Sequence, residues 1–151
     1  MKSRTHVVAA VVAAMASAAA FAAPALAQTG DALLNSLFSE LEASFVTNGQ
    51  RMTRVADLRN SIEDGGNRGD IVRLDSGRSY WVIGVCDEDC SDFDVIVRDT
   101  SGNTVGSDTL ADDSPVVQLN DVRGGGYQIS RVMADCAVNP CKTAVRIYRI
   151  D

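Results

Sequence analysis

Residues Tyr80–Asp99, YWVIGVCDEDCSDFDVIVRD, hold two apolar runs around a short loop. In Tyr80–Cys86, Trp81, Ile83 and Val85 point one way and Tyr80 and Val82 the other. Both faces are apolar, which predicts a central strand covered on each side. After the loop, Phe93, Val95 and Val97 share one face, and Asp94, Ile96 and Arg98 share the other. The loop and its flanks carry Cys86, Cys90, Asp87, Glu88, Asp89, Asp92 and Asp94. No recognisable reacting centre or ligand signature lies in the stretch.

The same period of two continues on either side. Short strands are predicted at Asp70–Leu74, Thr104–Asp108, Val116–Leu119, Tyr127–Met133 and Thr143–Ile150. Turn residues separate them: Asp64–Gly69 (DGGNRG), Asp75-Ser76-Gly77, Ser101-Gly102-Asn103, Ala111–Pro115 and Gly124-Gly125-Gly126. Gln50–Ile62 fits a helix at Met52, Val55 and Leu58 and a strand at Leu58, Asn60 and Ile62; it is read as a strand near its end. Seven or eight short strands with no βαβ rhythm and no repeat predict an all-β sandwich or barrel. One helix precedes it. Leu34, Leu37, Phe38, Leu41 and Phe45 make an apolar stripe, with Ser36, Ser39, Glu40 and Glu42 assigned mostly to the opposite face. Thr29 or Asp31 suits its start and Asn48-Gly49 its stop, and the stripe is expected to pack on the domain.

Residues 1–27 read as a secretory signal peptide. Lys2 and Arg4 are followed by an apolar run from Val7 to Phe21 and by Ala25-Leu26-Ala27, with cleavage expected before Gln28. The run is shorter than the roughly 20 residues of a spanning helix, which sets aside a retained anchor. The expected organisation is signal peptide 1–27, helical segment 28–49 and sandwich 50–151. Losing Lys2 and Arg4 and no acid takes the formal charge from −6 to −8. So acidic a product is a poor partner for nucleic acid or an anionic membrane. The expected location is the periplasm or the extracellular space.

The single histidine, His6, falls in the leader, which leaves the mature chain without Ser-His-Asp, Cys-His or His-containing zinc chemistry. Lys142 is its one lysine. Cys86, Cys90, Cys136 and Cys141 form an even set in an exported chain, which points to two disulfides rather than a four-thiolate zinc site. Entropy favours links between the two loops, about 4 kcal/mol each against about 2 kcal/mol for local rings. The proximity of partners within one loop favours Cys86–Cys90 and Cys136–Cys141, and that pairing is the expectation.

Carboxylates are the abundant functional groups that remain. Asp87, Asp89, Asp92, Asp94, Asp108, Asp112 and Asp113 are candidate calcium ligands, since calcium takes six to eight oxygens. The spacing is not an EF-hand, and aspartates in turns also cap their own backbone, which is the favoured reading. A carboxylate-based hydrolase ranks below both, because nothing here splits the two pKa values that glycoside hydrolysis needs. Trp81, Tyr80, Tyr127 and Tyr148 are read as packing residues ahead of a sugar-stacking platform. Arg123 beside the glycine run is read as part of a turn.

The order Gly77-x-x-Tyr80, Asp92-x-Asp94, Asp99-x-x-Gly102 and then Gly124 or Gly126 before Tyr127 resembles the bacterial pre-peptidase C-terminal domain family over about Asp70–Ile150. The resemblance implies a jelly-roll-like β-sandwich of the kind attached to secreted peptidases and other exported enzymes. Some related modules bind calcium or a polymeric substrate. The two cysteine pairs and the helix depart from the family pattern, and no catalytic residue carries over. The functional expectation is a stand-alone, non-enzymatic exported module with a binding or structural role and an unidentified protein or polysaccharide partner. No cofactor is required. Calcium-assisted accessory function is the alternative.

Overall fold

The structure, a computed structural model, describes residues 30–151. The expected signal peptide, its cleavage point and the Thr29 cap lie outside those residues. One helix, α1 (Gly30–Thr47), leads into eight strands: β1 (Met52–Ile62), β2 (Asn67–Leu74), β3 (Ser79–Cys86), β4 (Cys90–Arg98), β5 (Thr104–Asp108), β6 (Val116–Leu119), β7 (Gly125–Cys136) and β8 (Cys141–Ile150). They form two four-stranded antiparallel sheets, β1-β8-β3-β6 (sheet I) and β2-β7-β4-β5 (sheet II). The sandwich expected from the strand rhythm is therefore present. Strands pair in nested fashion, β1 with β8, β2 with β7, β3 with β6 and β4 with β5. Every connection except β4–β5 crosses from one sheet to the other.

The double-sided apolar character of Tyr80–Cys86 has its reason in this layering. Strand β3 lies between β8 and β6. Its Tyr80, Val82 and Cys86 join Phe93, Val95, Val97, Ile129, Met133, Val145 and Ile147 in the core between the sheets. Its Ile83 and Val85 face outward, where Leu34, Phe38 and Phe45 of α1 meet them together with Ala144 and Tyr148 of β8. The helix thus covers sheet I, burying its apolar stripe as the sequence predicts, and forms a third layer. Each large side chain fully buried this way contributes about 1.5–3 kcal/mol. At Gly84 the layers meet closely: an added Cβ would lie 2.8 Å from both the Phe93 ring and Pro115. Neither neighbour can swing away, so Gly84→Ala is expected to cost about 1–3 kcal/mol, measured as a lower urea midpoint with the slope unchanged.

Several strand limits and one helix face differ from the sequence reading; β7 and β8 each begin two residues early, at Gly125 and Cys141. Strand β1 runs the whole length from Met52 rather than only near Ile62. The helical spacing of Met52, Val55 and Leu58 arises from a bulge between Arg54 and Ala56. Met52 packs under the helix, Leu58 packs on the inter-sheet core, and Val55 at the bulge stays 41% exposed. Strand β2 starts at Asn67, shortening the DGGNRG turn to its first half. Glu42 does not belong to the solvent face of α1; it reaches Arg146 and Tyr148.

Candidate functional site

The two cysteine loops lie at one end of the sandwich, and both pairs are closed as expected: Cys86–Cys90 and Cys136–Cys141. The topology gives these short rings a second meaning. Cys86 ends β3 in sheet I and Cys90 opens β4 in sheet II, while Cys136 ends β7 in sheet II and Cys141 opens β8 in sheet I. Each disulfide therefore ties one sheet to the other. Cys90 and Cys136 are register partners across β4 and β7, so the two clamps stand side by side.

The aspartates of this end divide into two groups. Asp87 accepts the Lys142 N–H at 2.7 Å, and its own N–H donates to the Lys142 carbonyl, fixing the first loop onto β8. The Asp89 carbonyl accepts the Ala137 N–H, joining the two cysteine loops. Asp108 accepts from the Leu110 and Val116 N–H groups, Asp112 from the Ser114 N–H, and Asp113 from the Ser114 hydroxyl. Asp64, which the sequence reading left in a turn, accepts the Cys136 N–H at 3.0 Å. The Leu110 and Ser114 N–H bonds to Asp108 and Asp112 are those of turn capping, whereas Asp64 and Asp87 hold N–H groups 72 and 55 residues away and fasten separate segments together. Asp92 and Asp94 are different. One carboxylate oxygen of Asp92 is buried with no hydrogen-bond partner, as is one of Asp87. Burial, together with the negative charges of Asp92, Asp108 and Asp112, pushes the Asp94 carboxyl above its usual value. Asp92, Asp94, Asp108 and Asp112 thus share one electrostatic neighbourhood, but among the described residues no three acids, cysteines or histidines come together as a metal-holding group.

The other sequence candidates are packed into the fold. Tyr80 lies in the core, and its hydroxyl accepts the Asp75 N–H at 2.9 Å, tying down the β2–β3 turn. Tyr127 is buried, and its hydroxyl donates to the Arg123 carbonyl at 2.7 Å, tying down the loop before β7. Trp81 and Tyr148 both pack edge-on against Phe45 beneath the helix, with ring centroids 4.9 and 6.4 Å away. These four rings form no exposed platform. Gly77 and Gly102 take left-handed φ angles of 68° and 83°, and Asp99 closes the Gly102 turn by accepting the Ser101 and Asn103 N–H groups. The residues that carry the family resemblance therefore do turn-fixing work here, apart from Asp92 and Asp94.

Two polar arrangements were missed in the sequence. Beneath α1, the nearly buried Arg146 donates to Asp57 and Glu42, both at 3.0 Å, and to Asn35 at 3.2 Å. Its guanidinium lies 4.2 Å from the Phe38 ring centre. Arg59 adds bonds to Asp57 and Asn35, and the Tyr148 hydroxyl donates to Glu42 at 2.7 Å. Burial and the bond to Glu42 push the Tyr148 phenol far above its ordinary range. Next to this network an open cavity of about 400 Å³ is lined by Glu42, Phe45, Val46, Gln50, Met52, Arg54 and Tyr148. The second arrangement is Arg131, on the core face of β7 and fully buried, paired with Asp70 of β2. Its Nε and Nη1 have no partner among the described residues. The alternation Tyr127, Ile129, Arg131, Met133 placed this arginine on an apolar face, which was the available signal.

No protein-family model matches the chain, and no curated protein matches it. Among the described residues no helix is long and apolar enough to cross a membrane. What the fold and its end define is a small antiparallel β-sandwich with one covering helix and two inter-sheet disulfides.

Proposed function

We propose that this protein is a small non-enzymatic module of the exported compartment, periplasmic or secreted, with a structural or binding role. The observation that carries the reading is the clamped end: two adjacent disulfides between the sheets, with Asp64, Asp87, Asp108, Asp112 and Asp113 engaged in holding the surrounding loops. Disulfides of this kind persist where the environment is oxidising. The nested order β1-β8-β3-β6 over β2-β7-β4-β5 supports assigning the sandwich to the jelly-roll type, in which two Greek keys roll up together. That assignment in turn supports kinship with the pre-peptidase C-terminal domains.

The test is the intact mass and thiol content of the protein recovered from an exporting bacterial host. The expected product begins at Gln28 and has no titratable thiol under denaturing conditions. A product that keeps residues 1–27, stays inside the cell and titrates four thiols would overturn the proposal.

Calcium binding is the second reading, favoured by the uncommitted carboxylates of Asp92 and Asp94 and the crowding of negative charge around Asp94. A cation there would relieve that repulsion, with Asp108 and Asp112 near enough to share in it electrostatically. If the site is real, millimolar calcium raises the melting temperature by several degrees over a chelator control, and Asp92→Asn with Asp94→Asn abolishes the rise. Equal melting curves with calcium and with chelator would dispose of it.

A further inference from the structure

Sheet I is covered by α1, whereas the outer face of sheet II carries no covering element among the described residues. The core takes Phe93, Val95 and Val97 of β4, Ile129 and Met133 of β7, and Leu74 of β2, with Val72 packed against them. Strand alternation therefore turns Asp94, Ile96 and Arg98 of β4, Gln128, Ser130 and Val132 of β7, and Asn67, Gly69, Ile71 and Arg73 of β2 outward.

The register organises this face around one transverse row. Gly69, Ser130, Ile96 and Ser107 are successive cross-strand partners from β2 to β5. Asp94 lies two residues from Ile96 on the clamped side of the row, and Arg98 lies two residues away on the other side. Neither makes an ion pair among the described residues. Arg98 is held toward the row by its Nη1, which donates to the Ser130 hydroxyl at 3.0 Å. Asp94 stands among the negative charges of Asp92, Asp108 and Asp112.

We propose that the outer face of sheet II docks a second copy of this chain, with the two-fold axis running along the Gly69–Ser130–Ile96–Ser107 row. A two-fold in the interface plane and across the strands lays each strand antiparallel over its own copy. Asp94 of each protomer then faces Arg98 of the other, twice per dimer. Ile96 meets Ile96, and the small residues along the axis let the sheets approach the roughly 10 Å of packed sheets. An axis along the strands would instead bring Asp94 over Asp94. Charge complementarity thus selects one geometry and one occupant. The face, four strands by about eight residues, offers about 500 Å² per copy, or about 1,000 Å² in all. That is the lower bound for a specific interface and corresponds to a dissociation constant of about micromolar or weaker. A glycan fits the face less well, because Tyr80, Trp81, Tyr127 and Tyr148 all lie elsewhere and offer no ring for stacking.

Sedimentation equilibrium on the protein expressed from its full coding sequence, with chelator present throughout, tests the interface. The expected result is a monomer–dimer equilibrium that weakens as salt rises. Arg98→Glu or Asp94→Arg alone weakens dimerisation at least about ten-fold, because each change acts at both symmetric contacts. The double variant Asp94→Arg with Arg98→Glu restores it. Melting curves of each variant establish that it is folded. A chain that stays monomeric up to several hundred micromolar, a dimer indifferent to the single reversals, or single defects that the double variant fails to rescue would each overturn the proposal.

Discussion

Arg146→Ala is expected to cost about 2–3 kcal/mol, below the range of about 3–5 kcal/mol for breaking a fully buried ion pair, because Glu42 and Asp57 are themselves 39% and 28% exposed. Arg146 is only 6% exposed, and its loss would strip Glu42 of its hydrogen-bonded cation and leave Asp57 and Asn35 to Arg59 alone. It would also remove the guanidinium from the Phe38 ring. Glu42 and Asn35 belong to α1 while Asp57 belongs to β1, so the defect falls on the contact between helix and sheet. Near-ultraviolet circular dichroism of Trp81, which packs against Phe45 in that layer, reports it directly. The combined Glu42→Gln, Asp57→Asn and Arg146→Met variant should regain most of the loss, because no buried charge is then stranded. An Arg146→Ala protein within about 1 kcal/mol of the wild type would refute the role given to this network.

The same network sets part of the acid response. Burial alone would raise the Asp57 carboxyl, but the bonds from Arg59 and Arg146 outweigh it and hold the group below its usual value. A depressed carboxyl contributes stability that is fully present above its unfolded value, about 3.9, and is lost as pH falls through the folded value. Asp94 has the opposite sign. Its raised folded value means that ionisation works against folding, so Asp94→Asn is expected to stabilise slightly at pH 7 and to lose that advantage as the pH drops toward the unfolded carboxyl value.

The sandwich was legible because apolar residues recur with a period of two in β4 and β7, and each such set, Phe93, Val95 and Val97 or Tyr127, Ile129 and Met133, does face the core. The position of β3 followed from apolar residues on both faces, which only a strand covered twice tolerates. The register was less legible. One extra residue at Val55 shifts β1 by a step, and a period of two interrupted once can pass for a period of three. Glu42, Asp57 and Arg146 were invisible as a group because they come from three elements, one of which, β8, places Arg146 89 residues beyond Asp57, and a polar residue on an amphipathic helix reads as solvent-facing until its partner is known. Of the seven aspartates singled out, Asp108 and Asp112 cap N–H groups of their own loop, which the turn residues around them already indicated. Asp87 instead holds the Lys142 N–H, 55 residues away, a contact that no local signal announces. The uncommitted pair, Asp92 and Asp94, lies on a strand, where no such local rule applies.

The cysteine pairing was legible from spacing, but its consequence was not, because that depends on which sheet each strand joins. Rings this short restrict the unfolded chain by only about 2 kcal/mol each if nothing else is counted. Since each bond joins sheet I to sheet II, and Cys90 and Cys136 are register partners, the two bonds restrain one opening motion. Removing either leaves the other to hold that end. Removing both lets Cys86 and Cys141 of sheet I part from Cys90 and Cys136 of sheet II. The changes are therefore expected to couple. Cys86→Ala with Cys90→Ala, and Cys136→Ala with Cys141→Ala, should each lower the melting temperature by about 8 °C, taking about 4 °C per kcal/mol for a domain of this size. The fourfold variant should lose more than the sum, by about 0.5–3 kcal/mol, as neighbouring sites do. Reductant should bring the wild type to the melting point of the fourfold variant and leave that variant unmoved. Strict additivity would mean that the bonds act only through their separate loops, and a fourfold variant melting with the wild type would show that the clamped end does not limit stability.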